Sequence, residues 1–114
     1  MSRILVLEDR KIRSDEFKRR WIGNIVDCVE TASAAIELLK TTDYYIVTLD
    51  HDLGEEINVA SGPGTGYEVA KWLEENPDRK PSTIYIHSFN SAGAKNMKAA
   101  LPEAIIAPGL WTKI

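Results

Sequence analysis

Apolar positions along the chain gather into five short runs, Ile4–Leu7, Ile25–Val29, Tyr45–Leu49, Thr83–Ile86 and Ala104–Ala107, the second of them interrupted by Asp27. Runs of this length, rich in branched residues and bounded by turn-forming residues, predict strands. Between them the apolar positions recur every three or four residues, the spacing of one helical face. Ser14 with Asp15 and Glu16 predicts the start of a helix carrying Phe17 and Trp21, and Gly23-Asn24 stops it. Thr31 and Ser33 offer caps for a second helix that turns Ala32, Ala35, Ile36 and Leu39 inward, closed by Thr41-Thr42-Asp43. A third helix is expected over Tyr67–Glu75, through Tyr67, Ala70, Trp72 and Leu73, ending before Asn76-Pro77. A fourth is expected over Ala92–Ala100.

Strands alternating with helices of about ten residues argue for βαβ units on a parallel sheet. The expected fold is therefore α/β, a five-stranded parallel sheet flanked by helices in a three-layer sandwich. With 114 residues, 44% of them hydrophobic, the chain is the size of one ordinary domain, spanning 1–114. No internal repeat or linker interrupts it.

Composition narrows the functional classes. A formal charge of −3 and a pI near 5.4 give no general attraction for nucleic acid. Cys28 is the single cysteine, so no intramolecular disulfide can form, and its place in an apolar run predicts a buried thiol. No apolar stretch approaches the ~20 residues of a membrane span, and Met1-Ser2-Arg3 leads straight into a strand. A soluble, cytoplasmic protein is expected.

The chemistry lies where the runs end. The first gives way to Glu8-Asp9, the third to Asp50-His51-Asp52-Leu53-Gly54, and the fourth to His87-Ser88-Phe89-Asn90. In open α/β sheets, ligands bind beyond the carboxyl ends of the strands. Asp9 and Asp50 offer the hard oxygens that Mg²⁺ or Mn²⁺ prefers, with Glu8 or Asp52 assisting through water. Any one of these acids would more simply cap a helix or turn the chain. Four at one sheet edge repel each other unless a cation joins them. His51 and His87, the only histidines, are candidate acid and base groups, His87 the better one. The plainer alternative has each ring satisfied by a backbone carbonyl, with Asp52 orienting His51. Ser88 and Asn90 suit phosphate oxygens at a helix N-terminus, or serve as N-caps. Arg10, Lys11 and Arg13 could pair with phosphate or simply solvate a helix start. The Ser61–Gly66 loop lacks a Walker lysine. Trp21, Trp72 and Trp111 are too scattered to form a stacking platform and are expected to pack.

The order of Glu8-Asp9 after the first strand, Asp50 after the third and Ser88 after the fourth resembles the receiver domain of two-component response regulators, a flavodoxin-like fold. The resemblance implies Mg²⁺ binding by Glu8, Asp9 and Asp50, and phosphoryl acceptance by Asp50. One receiver feature is missing: the lysine that precedes a proline after the fifth strand is replaced by Ala107 before Pro108. The Asp-His-Asp-Leu-Gly and His-Ser-Phe-Asn runs, with Gly93 and Met97 downstream, are more specifically similar to cyclic-phosphate processing receivers. That resemblance implies metal-assisted processing of a cyclic nucleotide or an RNA cyclic-phosphate end. On this reading Asp9, Asp50 and Glu8 hold the metal, His87, His51 and Asp52 serve catalysis, and Ser88, Asn90 and Arg10 bind substrate. The alternatives are a signalling module phosphorylated on Asp50 and a non-catalytic binder of nucleotide or protein.

Overall fold

In the computed structural model, which describes residues 1–54 and 56–113, the apolar runs form one parallel sheet. The strands are β1 (Arg3–Leu7), β2 (Ile25–Val29), β3 (Ile46–Leu49), β4 (Thr83–Ile86) and β5 (Ile105–Ile106), in the order β2-β1-β3-β4-β5. The helices between them are α1 (Lys11–Arg20), α2 (Ala32–Thr41), α3 (Gly66–Glu75) and α4 (Ser91–Ala100). Short 3₁₀ turns follow α3 at Pro77–Arg79 and β5 at Leu110–Thr112.

Side chains alternate across each strand, so the sheet divides its apolar residues between two layers. Leu5, Leu7, Val47, Leu49, Ile84 and Ile86 face a large core shared with residues of α2, α3 and α4, including Leu39, Leu73 and Met97. Ile4 and Val6 face a smaller cluster with Phe17 of α1 and Leu110, against which Trp21, Tyr85 and Trp111 pack. Both faces of the central strands are thus covered, which is why their sequences read as unbroken apolar runs.

Three local differences from expectation have physical causes. Helix α1 begins at Lys11, without a side-chain cap at Arg10, because Ser14 faces inward with its hydroxyl 3.5 Å from the Glu8 carbonyl oxygen. The last run keeps only Ile105–Ile106 in the sheet, because Ala104 belongs to the turn after α4 and Pro108-Gly109 lead into the 3₁₀ turn. Cys28 is half-buried, and burial pushes its thiol pKa up. Among the described residues no helix is long and apolar enough to cross a membrane.

Candidate functional site

Strand register assembles the floor of the site. Leu7 pairs with Leu49, and Leu49 with Ile86. The ladder then runs one residue further, with the Glu8 amide donating to Val29, the Asp50 amide to Leu7 and the His87 amide to Leu49. Glu8, Asp50 and His87 therefore stand abreast at the carboxyl edge. Because Leu7, Leu49 and Ile86 face the large core, alternation turns the next residues toward the α1 side. One ligand atom from each of the three lies within 4.8 Å of the others, and all three residues are buried.

His87 lies behind this floor, fully buried. Its Nε2 lies 3.1 Å from Glu8 Oε1 and its Nδ1 2.6 Å from Thr48 Oγ1. An ionised carboxylate only accepts, so Nε2 carries the proton to Glu8, and in the neutral ring Nδ1 accepts the Thr48 hydroxyl proton. Phe17 meets the ring edge-on at 4.9 Å and Trp111 at 6.0 Å. The other Glu8 oxygen, Oε2, accepts the Arg10 backbone N–H at 2.9 Å.

His51 is equally buried but works elsewhere. Its Nδ1 donates to Asp52 Oδ1 at 2.8 Å, and its Nε2 accepts from the Ser61 hydroxyl at 2.8 Å. Asn96 of α4 donates to the same Ser61 oxygen at 2.9 Å. Asn90 caps α4 by accepting the Gly93 N–H, while its Nδ2 donates to Asp52 Oδ1 and to the Val59 carbonyl, each at 3.0 Å. Asp52 Oδ2 accepts the Asn58 N–H at 2.6 Å. Both ends of the loop after β3 are thereby fastened to α4. Two glycines permit this closeness: a Cβ on Gly66 would strike the Asp50 carbonyl, and one on Gly93 would sit 2.5 Å from the His51 ring.

Above the floor opens a cleft of roughly 290 Å³, lined by Arg10, Arg13, Asp50, Asp52, Asn58, Ser88, Phe89 and Asn90, with Glu56 and Ile57 at its side. Ser88 Oγ accepts the Asn90 N–H at 3.0 Å. The Arg13 guanidinium lies 3.8 Å from Glu8 Oε1 and 3.9 Å from Asp50 Oδ2. Asp9 instead borders a separate, larger cavity of roughly 430 Å³ with Glu30, Thr31, Ser33 and Glu68.

Burial dominates the electrostatics of the floor. It pushes Asp50 up to about 6, with the charge of Glu8 adding to the rise, against the pull of His87, the His51 N–H and Arg13. Glu8 suffers the same desolvation, but the hydrogen bonds from His87 and the Arg10 amide outweigh it and hold this carboxyl below its usual range. Asp52 is also held low, burial being outweighed by its hydrogen bonds from Asn90, His51 and the Asn58 amide.

The structure thus brings Glu8, Asp50, Asp52, Ser88, Asn90 and Arg10 to one strand-end region, places His87 and His51 beneath and beside it, and turns Asp9 to the neighbouring cavity. Thr48, Trp111 and Phe89 are site components that residue type alone does not reveal. The one available signal for Thr48 is a hydroxyl in the middle of an apolar strand, two residues before Asp50. Trp111 and Phe89 are separated in sequence and meet only in the fold, at 5.6 Å between ring centroids.

Comparison with known proteins agrees with this fold. The model of the cyclic-phosphate processing receiver domain family matches residues 3–103. Among curated proteins none matches the chain. Solved receiver structures share the fold at low identity. The HemR receiver domain of Leptospira biflexa superposes with a TM-score of 0.73 at 20% identity, covering 96% of this chain and 82% of that one. A CheY-like receiver domain from Methylobacillus flagellatus gives 0.71 at 20% identity, covering 96% and 87%. The response regulator TrrA of Thermotoga maritima, solved in complex with Mg²⁺–BeF, gives 0.70 at 20% identity, covering 93% and 86%.

Proposed function

We propose that this chain, which belongs to the family of cyclic-phosphate processing receiver domains, binds a divalent cation at Glu8 and Asp50 and hydrolyses a cyclic phosphodiester in the cleft above them. The observation that carries this proposal is the buried carboxylate pair: Asp50, 4% exposed, stands beside Glu8 with its pKa raised, at the base of an open polar cleft. Two carboxylates held together out of water favour a hard divalent cation, and the oxygen-rich donor set fits Mg²⁺ or Mn²⁺. Such an ion would supply Lewis acidity, polarising a phosphoryl oxygen and lowering the pKa of water.

The chain's own groups then divide the remaining work. Asp50 Oδ1 accepts the His51 amide at 2.8 Å, which fixes the carboxylate and leaves Oδ2 toward the cleft. Glu8 is oriented by two donors, the Arg10 amide and His87 Nε2. Ser88 accepts from Asn90 through its oxygen, so its own proton is left to donate to a phosphate oxygen. Arg10 contributes positive charge from the rim. With both ring nitrogens engaged and no exposed surface, His87 and His51 are positioning residues, one for Glu8 and one for the loop.

The cleft volume lies near the lower end of small-molecule sites, about 300–1,000 Å³. It suits one nucleotide unit, either a cyclic nucleotide or the terminal cyclic phosphate of an RNA. The acidic net charge matches recognition of such an end rather than of the polymer backbone.

The test is a screen of the purified chain with Mg²⁺ or Mn²⁺ against 2′,3′-cyclic, 3′,5′-cyclic and linear phosphoesters, beside Asp50→Asn. The expected result is metal-dependent opening of a cyclic substrate that Asp50→Asn abolishes, with a loss of metal affinity. Absence of turnover in every arm removes the hydrolase proposal. A stable Asp50-linked adduct after acetyl phosphate, seen by intact mass, would instead establish a phosphorylated signalling module, the second reading that the receiver fold favours.

A further inference from the structure

Arg13 sits in the first turns of α1 with its side chain 21% exposed and its guanidinium lining the cleft beside Ser88 and Asn90. Its Cζ lies 4.6 Å from the centroid of the Trp111 ring and 5.5 Å from that of Phe89. Two aromatic rings from different parts of the chain thus hold one cation in place. Cation–π contacts of this kind attract the guanidinium without spending its N–H donors on the rings as hydrogen bonds.

Among the described residues those donors meet the protein only as loose ion pairs to Glu8 and Asp50, without a hydrogen-bond acceptor in range. The distances of 3.8 and 3.9 Å to Glu8 and Asp50 exceed the roughly 2.7–2.9 Å of a charge-assisted hydrogen bond. Among the described residues Arg13 makes no hydrogen bond to the protein, whereas Arg3, Arg19 and Arg79 each donate to a carboxylate or a carbonyl. A guanidinium held against two aromatic rings at the wall of a polar cleft, and hydrogen-bonded to none of the described residues, is placed to receive an oxyanion.

We infer that Arg13 is a further phosphate-binding residue of the cleft, beside Ser88, its N–H groups directed at the non-bridging oxygens of a phosphoryl group, with Trp111 and Phe89 holding it in place. The ligand class rests on the function proposed above; the role of Arg13 in binding phosphate is separable from turnover. The same placement has a second consequence. Arg13 shares the Glu8 and Asp50 carboxylates with any incoming cation, so it opposes metal binding while it favours phosphate binding.

The experiment is calorimetric titration of the full chain with MgCl₂ alone, then with inorganic phosphate at saturating Mg²⁺, for the parent, Arg13→Ala, Arg13→Gln and Arg13→Lys. Arg13→Ala is expected to weaken phosphate binding by about tenfold or more and to tighten Mg²⁺ binding by up to about tenfold. Arg13→Lys keeps the charge but not the planar fork, and is expected to fall between the two. Arg13→Gln, closer in volume, repeats the test if the alanine variant fails to fold. Unchanged phosphate affinity, or a parallel loss of both affinities, overturns the assignment, since a purely structural brace would give no effects of opposite sign. A parent that binds phosphate through Arg13 yet opens no cyclic ester sustains the assignment and removes the hydrolase proposal. A parent that opens the ester, with KM unchanged in Arg13→Ala, does the reverse. A parent that binds no phosphate removes the assignment and leaves the hydrolase proposal to the turnover screen.

Discussion

The two histidines occupy similar surroundings and hold different things together. Both rings are fully buried, and both are bonded at each nitrogen. His87 links a strand hydroxyl to Glu8 and is wedged between Phe17 and Trp111, so it belongs to the rigid sheet and its packed α1 face. His51 joins Asp52 to Ser61 and lies against Gly93, so it closes a loop onto α4. One imidazole sets the direction of an acid; the other sets the shape of a wall. Residue type and burial do not distinguish these roles, but the partners do.

Breaking the floor should have the largest effect. His87→Ala removes a packed ring and strips Glu8 of a buried donor, so a loss of about 3–4 kcal/mol is expected. Chemical denaturation would measure it, and a loss below about 1 kcal/mol would show that Glu8 finds another partner. Mg²⁺ affinity should fall as well, because the carboxylate is no longer oriented.

Breaking the clasp should cost less. Gly93→Ala places a methyl group against a ring that is tethered at both nitrogens, and about 2–3 kcal/mol is expected from the resulting overpacking. Limited proteolysis should then cut within residues 52–61 faster than in the parent, with the sheet still protected from hydrogen exchange. Equal protection of the loop in both proteins would mean that His51 does not fasten it.

The pH response sharpens the contrast further, because its upper window belongs to the floor alone. Burial pushes the Asp50 carboxyl up to about 6 in the metal-free fold, from the ordinary 3.8 that it recovers when unfolded. Between these values the unfolded chain holds fewer protons than the native one, so stability falls as pH rises from about 4 to about 6. The expected size is about 1–3 kcal/mol. Glu8 and Asp52 act in the opposite sense and in a lower window: their depressed pKa values contribute stability that is lost as pH falls through and below about 4. Thermal unfolding in a chelator at several pH values should show the upper slope in the parent and not in Asp50→Asn. Persistence of that slope in Asp50→Asn would assign it to another group.

Much of the architecture was legible because the central strands β1, β3 and β4 are largely apolar runs ending in polar residues, so the sheet and the strand-end site follow from one pattern. The different surroundings of Glu8 and Asp9, both expected at the metal, were harder to read. β1 ends at Leu7 and its ladder reaches only the Glu8 amide, so strand alternation places Glu8 on the side of Val6, while Asp9 lies in the bend beyond it. Burial of His51 and His87 was equally out of reach: Thr48, Ser61 and Asn90, which satisfy them directly or through Asp52, come from distant positions. Arg13 was visible as one of three basic residues after Glu8-Asp9. Its aromatic walls were not, because Phe89 and Trp111 meet only through the chain's return after β5.

The contact between His87 and Glu8 joins residues 79 positions apart. Closing so long a loop is entropically costly, and parallel strands must wait for their crossovers before they can pair. The acidic floor therefore forms only when β4 docks beside β3, late in the acquisition of structure. A nascent or partly unfolded chain exposes Glu8 and Asp50 separately, as ordinary hydrated carboxylates. Ligand affinity is in this sense a reporter of complete folding, and a refolding experiment that follows Mg²⁺ uptake would time the final docking step rather than the initial collapse.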